Sequence, residues 1–550
     1  MNARDKRVWI SVADESFINA QRSELEIRAG GERLPLLGLT FAVKDNIDVE
    51  GFPTTAGCPD FSYNPTRDAM AVKLLKSAGA AVLGKTTMDQ FATGLVGTRS
   101  PHGPCPNAFN PAYISGGSSS GSAVAVARGE VDFALGTDTA GSGRVPAAYN
   151  GLIGYKPTRG LISAIGVVPA CRTLDCVSIF SKTVALASRV AEVVRTFDPQ
   201  DPFARQYLPR PAAPVNFRFA VPDRLEFFGD VEAPKLFQAA IAKLEALGGE
   251  KVTINFAPFA EAATLLYKGP WVAERFAAVG DWIEQHPHSA DPIVREIILG
   301  GKKPTAAEVF QSSYRLAEIK RDTEAVWREC HCMILPTVAN SYRIEEISAN
   351  PIELNSRLGT YNNFVNLLDL AAVTAPAGAW SCGVGFGINL IGPSFSDDAL
   401  LSLAARFCGE SIPSPVKSTH VSLAVVGAHL RGQPLHAQVV QLEARFLRQT
   451  QTAPRYRLYA IPNSIPPKPG MLRQKDGVPI EVEVYEMTPE AFGTFVAAIP
   501  PPLCIGSVEL SDGTWVKGFL CEPAALEGAL EISEFGGWRA WLQSQKSTLA

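Results

Sequence analysis

VDFALGTDTAGSGRVPAA, residues 131–148, opens as an apolar strand, VDFALG (131–136), and breaks into a turn of small residues. In that turn Ser142 lies between two glycines, with Asp138 and Arg144 around it. A short apolar run bounded by turn residues reads as a buried strand of an α/β sheet. Upstream, LGLTFAVKD (37–45) reads as another buried strand. RDAMAVKLLKSAG (67–79) has helical periodicity and ends on Gly79 as a C-cap, and AAVLG then reads as a strand. SAVAVARG (122–129) predicts a short helix of small residues ahead of 131–136. This alternation through the first 400 or so residues gives an α/β fold with a mainly buried sheet. Residues 230–330 are richer in helix formers and charge and predict a helical flap or interface.

At GESIPSPVKSTH (409–420) the texture changes, which predicts a linker between domains at 1–412 and 420–550. Beyond it a small α+β unit is expected. VSLAVVG reads as a strand, LHAQVVQLEARFLRQ as an amphipathic helix and YRLYAI as a strand. KDG and SDG mark two hairpins, and GGWRAWLQS closes the chain.

A length of 550 residues exceeds one ordinary core, so two or three domains are expected. With 46% hydrophobic and 19% charged residues and a net charge of −4, nothing calls for nucleic acid or an anionic membrane as partner. The charged opening, MNARDKRVWISVADES, lacks the apolar core of a signal peptide. The uncharged run Leu370 to Ser396 is long enough to span a bilayer, but Pro376, Pro393 and its glycines predict a buried, turn-broken segment. Ten cysteines without framework spacing suggest free thiols and a reducing cytoplasm.

Three motif matches are set aside. GAAVLGKT (79–86) fits the phosphate-loop pattern letter for letter, but here a helix precedes Gly79 and a strand follows it. That reverses the order needed to aim amides at a phosphate. GSSSG (117–121) fits a nucleophile elbow centred on Ser119, yet PAYISG is a poor strand and no histidine partner is at hand. A structural role for Ser119 is the better reading. Cys330-His331-Cys332 has no second cluster at ligand spacing, and the apolar MILPT follows. A core-edge cysteine pair is expected there, and no metal.

If Ser142 is a nucleophile, something must take its proton. The seven histidines, at 102, 286, 288, 331, 420, 429 and 436, all lie outside the serine-rich region. Ser118, in GGSSSGS (116–122), is 24 residues from Ser142, with one helix and one strand between them. That path can return the chain to its starting edge. Upstream, Lys44 ends the apolar strand FAVKD. Burial disfavours a charged lysine. Moving it from ~10.4 to about 7 costs roughly 4–5 kcal/mol at ~1.36 per pH unit. On the residues alone two readings stand: Lys44 as a neutral base acting through Ser118, or a solvated cation beside flexible serine turns.

Taken together, the loops resemble the amidase signature family. Residues 37–408 carry the resemblance in FAVKDNID, GAAVLGKTTMDQFATG, ISGGSSSGSAVAVA, GTDTAGSGRVPAAYNGLIGYKPTRG, ILPT (334–337) and INLIGPSFSDDALLSLA. It implies a mixed central sheet covered by helices. It also implies a catalytic triad of an unprotonated lysine, a serine preceded by a cis peptide and a nucleophilic serine, falling on Lys44, Ser118 and Ser142. Backbone N–H groups of Thr139, Ala140, Gly141 and Ser142 would form the oxyanion hole, with Asp138 and Arg144 bracing the turn. The family usually has Gly-Gly-Ser where this chain has Ala140-Gly141-Ser142.

The segments AVVGAHLRGQPL, ARFLRQT, YRLYAIP and GGWRAW resemble the second domain of the allophanate hydrolases within that family. In those enzymes a tyrosine and an arginine eight residues later clamp the substrate carboxylate, and LLYKGPWVAER supplies Tyr267 and Arg275. On an ordinary helix surface, positions eight apart would share a face as well. Gly94 joins them as a substrate-binding position by the same resemblance. The implied reaction is acyl transfer that hydrolyses allophanate (urea-1-carboxylate) to ammonia and carbon dioxide via N-carboxycarbamate. In some relatives a histidine of the second domain assists the decarboxylation; here His429 is the candidate, with His436 nearby.

The resemblance implies no cofactor and no metal. It implies a small-molecule substrate, a cytoplasmic homodimer, and a link to an ATP-dependent urea carboxylase or to breakdown of triazine-derived biuret. A broad-specificity amidase, one chain of a tRNA-dependent amidotransferase and a non-catalytic scaffold are the alternatives. The second domain and the lack of a basic patch count against tRNA work, and the three intact triad positions count against a scaffold.

Overall fold

The computed structural model describes residues 4–32, 34–207, 210, 216–411, 421–442, 444–462 and 464–548. It divides into two compact units, Met1–Pro413 and Ser414–Ala550. Of the predicted linker, residues 412–420 lie outside the described residues.

The apolar runs of the first unit become one mixed sheet. Its strands are β1 (Trp9–Val12), β2 (Thr40–Lys44), β3 (Ala81–Thr86), β4 (Phe133–Asp138), β5 (Ile153–Lys156) and β6 (Cys176–Ser181). They continue as β7 (Phe217–Pro222), β8 (Gly249–Ile254), β9 (Cys332–Pro336), β10 (Leu370–Ala379) and β11 (Gly385–Pro393). The order across the sheet is β1-β3-β2-β4-β6-β5-β10-β11-β9-β7-β8. Strands β4 and β6 are buried along their whole length, as expected for apolar strands covered on both faces. The short helix Ser120–Ala127 packs on β4, while Val184–Val194 and Asp397–Cys408 pack on each other and on β6 and β10. Small residues let Ser120–Ala127 approach closely: a Cβ on Gly121 would come within 2.3 Å of the Val8 carbonyl oxygen.

Two pairings position the site. β2 and β4 are parallel neighbours, with Val43 opposite Leu135, so their C-terminal ends carry Lys44 and Thr137 to one edge. β4 and β6 are antiparallel and register Asp138 opposite Cys176, which brings Asp175 beside Thr139. The uncharged run 370–396 is the antiparallel pair β10–β11, turned at Gly383. Among the described residues no helix is long and apolar enough to cross a membrane. Residues 230–330 are helical apart from β8, with the helices Ala257–Lys268, Val272–Gln285 and Ala306–Glu329.

The second unit has β12 (Val421–Val425), β13 (Arg445–Gln451), β14 (Tyr456–Ala460) and β15 (Pro469–Arg473). It continues with β16 (Glu481–Met487), β17 (Leu503–Glu509), β18 (Trp515–Cys521) and β19 (Leu530–Glu531). One sheet runs β13-β16-β12-β18-β17 and the other β15-β14-β19. The expected helix over LHAQVVQLEARFLRQ is cut short. It survives as His436–Gln441, and its second half is the edge strand β13. Pairing of β13 with β16 satisfies that backbone, Phe446 stacks edge-on against Tyr485 at 5.5 Å, and Arg445 reaches Glu486. A long-range ladder thus overrides local periodicity. SDG does join a hairpin, β17–β18. KDG does not: β15 pairs with β14, and the chain then crosses to β16 in the other sheet.

Candidate active site

At the end of β2 the Lys44 side chain is wholly buried. Its Nζ lies 2.7 Å from Ser118 Oγ and 2.7 Å from Thr137 Oγ1. Asn46 Nδ2 also reaches Thr137 Oγ1, at 3.4 Å. Among the described residues no carboxylate forms an ion pair with Lys44. Burial therefore pulls the lysine down from 10.5 to about 7. Asp89, Asp175 and Asp138 oppose the shift, and the Arg275 charge adds to it. This is a lysine poised to hold or release a proton near neutrality, with a hydroxyl on each side.

Ser118 follows a cis peptide bond from Gly117. The loop is held by backbone: Gly117 N–H donates to Leu95 O at 2.9 Å, and Asp89 N–H donates to Ser118 O at 3.1 Å. The buried Asp89 carboxylate accepts the N–H groups of Val96, Gly97 and Arg99, which folds 89–99 around the serine loop. A Cβ on Gly117 would sit 2.1 Å from Asp89 Oδ2, so only glycine fits. Ser119 Oγ donates to Thr137 O at 3.1 Å and accepts from Thr137 N at 3.3 Å, stitching the helix start to β4. Its role is structural.

Ser142, 4% exposed, caps the turn after β4. Arg144 grips Asp138 with two donors, Nε to Oδ2 at 2.9 Å and Nη2 to Oδ1 at 3.0 Å, and both side chains are fully buried. Burial pushes the Asp138 carboxyl upward; Arg144 and the turn's N–H groups outweigh it and hold the group below the usual range. The pair braces the turn. One member of the expected oxyanion hole does not fit: Gly141 N–H donates to Asp138 Oδ1 at 2.7 Å, and Gly143 N–H donates to Oδ2 at 3.0 Å. The carboxylate that builds the turn has consumed the Gly141 donor. The N–H groups of Thr139, Ala140 and Ser142 have no hydrogen-bond partner among the described residues and stay available. Thr139 Oγ1 in turn donates to Asp175, whose carboxylate also accepts from Ala170 N and Cys171 N. Burial raises the Asp175 carboxyl.

Tyr267 and Arg275 lie on successive helices, Ala257–Lys268 and Val272–Gln285, with Gly269 between them, rather than on one helix face. Arg275 is 2% exposed, its guanidinium 5.7 Å from the Tyr267 ring centre. Nη1 donates to Thr93 Oγ1 at 2.9 Å and to Ala92 O at 3.4 Å. Among the described residues no carboxylate ion-pairs with it. A buried guanidinium held by neutral groups keeps the capacity to pair with an anion. Tyr267 packs in one apolar cluster with Ala140, Cys171, Leu174 and Trp271, next to the Ser142 turn. Gly94 has φ +156°, and a Cβ there would meet Asp89 Oδ2 at 2.7 Å, so it shapes the loop between Asp89 and the arginine.

The set-aside motifs are packed into the structure by their own contacts. Lys85 is buried against Asp45 at 3.3 Å and against Thr54. His331 Nδ1 accepts the N–H of Arg218, Cys332 is a buried core residue, and no metal-holding cluster exists among the described residues. In the second unit His429 stacks on Phe519 at 4.9 Å, edges Phe495, and reaches Gln438 Oε1 at 3.0 Å. Burial lowers it below the usual histidine range. That is the environment of a packed turn residue. His436 Nε2 instead lies 3.1 Å from Tyr485 OH, which donates to the buried Glu483.

Sequence reading missed Thr137, Asp89 and Asp175. Each lies in one of the family's loops or on a strand end, but only sheet register shows which side chains meet.

The amidase profile matches residues 2–401, and the allophanate hydrolase C-terminal domain profile matches residues 421–543. Urea amidolyase of Saccharomyces cerevisiae is 44% identical over 98% of this chain, which covers 31% of that protein. The chain spans about a third of the length of the urea amidolyases it matches. The solved structure of Kluyveromyces lactis allophanate hydrolase is 43% identical over 99% of this chain and 94% of that one, with a TM-score of 0.75. A glutamyl-tRNA(Gln) amidotransferase polypeptide of Halobacterium salinarum is 32% identical, over 70% of this chain and 99% of that protein. With a serine, lysine and strand-end turn so arranged, and the profile running through all of them, the chain belongs to the amidase family.

Proposed function

We propose that this chain is an amidohydrolase acting on allophanate, with Lys44, Ser118 and Ser142 as its triad. The observation that carries the substrate is Arg275, a buried cation beside Tyr267 with no carboxylate partner among the described residues. Allophanate offers a carboxylate for it and a terminal amide for Ser142. Neutral Lys44 takes the Ser118 proton, Ser118 takes that of Ser142, and Ser142 Oγ attacks the terminal amide carbon. The N–H groups of Thr139, Ala140 and Ser142 stabilise the oxyanion. Ammonia leaves with the proton returned through Ser118. Water, deprotonated by the same relay, hydrolyses the acyl-enzyme to N-carboxycarbamate, which decays to ammonia and carbon dioxide.

Support for the substrate comes from the C-terminal domain profile and from the urea amidolyase and allophanate hydrolase relatives. The reading extends to a cytoplasmic homodimer supplied by an ATP-dependent urea carboxylase. The testing experiment is ammonia release from allophanate, biuret, malonamate and glutamine assayed side by side. Allophanate should give the highest kcat/KM. Preference for glutamine would move the chain to the amidotransferase class, and equal rates would make it a broad amidase.

A further inference from the structure

The segment Ala170 to Asp175 is tied on one side to the turn that carries Ser142 and on the other to the helix that carries Arg275. Toward the turn, Thr139 Oγ1 donates to the Asp175 carboxylate, which also accepts the N–H groups of Ala170 and Cys171 and so folds the segment on itself. Asn366 Nδ2 donates to Asp138 O at 2.7 Å and to Leu174 O at 3.0 Å, joining the start of the turn to the segment. Toward the helix Val272–Gln285, the Glu274 carboxylate takes Thr173 at two points, accepting its N–H at 3.2 Å and its Oγ1–H at 2.7 Å. Glu274 is the neighbour of Arg275 in the chain. The Cys171 thiol donates to the carbonyl of Trp271, the residue before that helix, at 3.5 Å.

Packing fills the space between these ties. Ala140 of the turn, Cys171 and Leu174 share one apolar cluster with Leu266, and Tyr267 and Trp271 pack against it. A segment bonded at both ends and close-packed in the middle holds Ser142 and Arg275 at one separation. For a substrate gripped by its carboxylate at Arg275 and attacked at its amide carbon by Ser142, that separation is a length. In allophanate a single atom stands between the amide carbon and the carboxylate carbon.

We propose that the segment Ala170 to Asp175 is a ruler: it fixes the distance from Ser142 to Arg275, and so selects acid amides with one atom between the two carbons over longer ones. The proposal rests on the substrate reading above. Glu274 and Thr173 are then positioning residues, which act through Arg275 and not on the reacting atoms.

The test is the double variant Thr173→Val/Glu274→Ala, assayed for ammonia release from malonamate, succinamate, glutaramate and biuret. The three acids place one, two and three atoms between amide carbon and carboxylate carbon, and biuret has no carboxylate. The unaltered chain should prefer malonamate among the acids. In the variant, kcat/KM for malonamate should fall about tenfold, while succinamate holds or gains, so the length preference flattens. Biuret offers nothing for Arg275 to hold and should keep its kcat and KM. Glu274→Gln removes the charge but can still accept from Thr173 N–H and donate to Thr173 Oγ1, so it should keep the unaltered profile. No length preference in the unaltered chain, a preference that survives in the double variant, or equal losses on all four amides would overturn the ruler and leave the substrate reading standing. Turnover of biuret well above malonamate by the unaltered chain would overturn the substrate reading, and the ruler with it.

Discussion

Acid should switch this enzyme off through Lys44. An ammonium at the end of β2 would be fully buried and, among the described residues, without an ion pair; burial takes the lysine from 10.5 to about 7. At ~1.36 kcal/mol per pH unit, that is about 5 kcal/mol against the charged form. Only the neutral amine can accept the Ser118 proton. The kcat/KM should therefore rise with pH along one limb centred near 7. At one pH unit below the midpoint it should reach about a tenth of the plateau. Biuret is the substrate of choice, because it has no carboxylate to titrate, with ammonia measured directly at each pH. His102→Gln and His331→Gln should leave the limb where it is. Arg275→Met should move it to higher pH, because the guanidinium is one of the charges that depress Lys44. A rate independent of pH from acid to alkali, or a limb lost with either histidine, would refute the lysine base.

Three further outcomes follow from particular contacts. Arg275→Ala should cost allophanate hydrolysis roughly 2–5 kcal/mol, or about 30- to several-thousand-fold in kcat/KM, by leaving a desolvated carboxylate unpaired. Biuret should lose much less and lysine should rescue only part; an unchanged allophanate-to-biuret ratio would remove Arg275 from the site. Gly117→Ala would drive a Cβ to 2.1 Å from Asp89 Oδ2 and should lower both melting temperature and turnover, whereas wild-type values for both would show the loop has room. Asp138→Asn strands the buried Arg144 charge and should destabilise the fold by about 3–5 kcal/mol in denaturant unfolding, a loss under about 1 kcal/mol being incompatible with the brace.

The strands that build the site were legible because each is a short apolar run closed by a polar or glycine-rich turn. Lys44 and the Ser142 turn stand at the ends of two such runs. What periodicity could not show is which ends meet. Thr137 joins Lys44 through the parallel register of β2 and β4, and Asp175 reaches Thr139 through the antiparallel register of β4 and β6. The Gly141 N–H looked free in a turn read by itself; the neighbouring Asp138 carboxylate takes it. In the second unit the apolar spacing of 435–449 suits a helix, but from Arg445 onward the open edge of β16 captures the chain. Both misreadings came from partners distant in sequence or on the same turn of backbone, which apolar spacing does not encode.

If Lys44, Ser118 and Ser142 act as one unit on allophanate, steady-state ammonia release from allophanate by Lys44→Ala, Ser118→Ala, Ser142→Ala and the triple variant shows it directly. Residues that share one proton relay lose their effect together. Each single variant should fall by several orders of magnitude, and the triple should fall no further than Ser142→Ala alone. Near-normal turnover in Lys44→Ala, or losses that multiply in the triple variant, would contradict a shared relay.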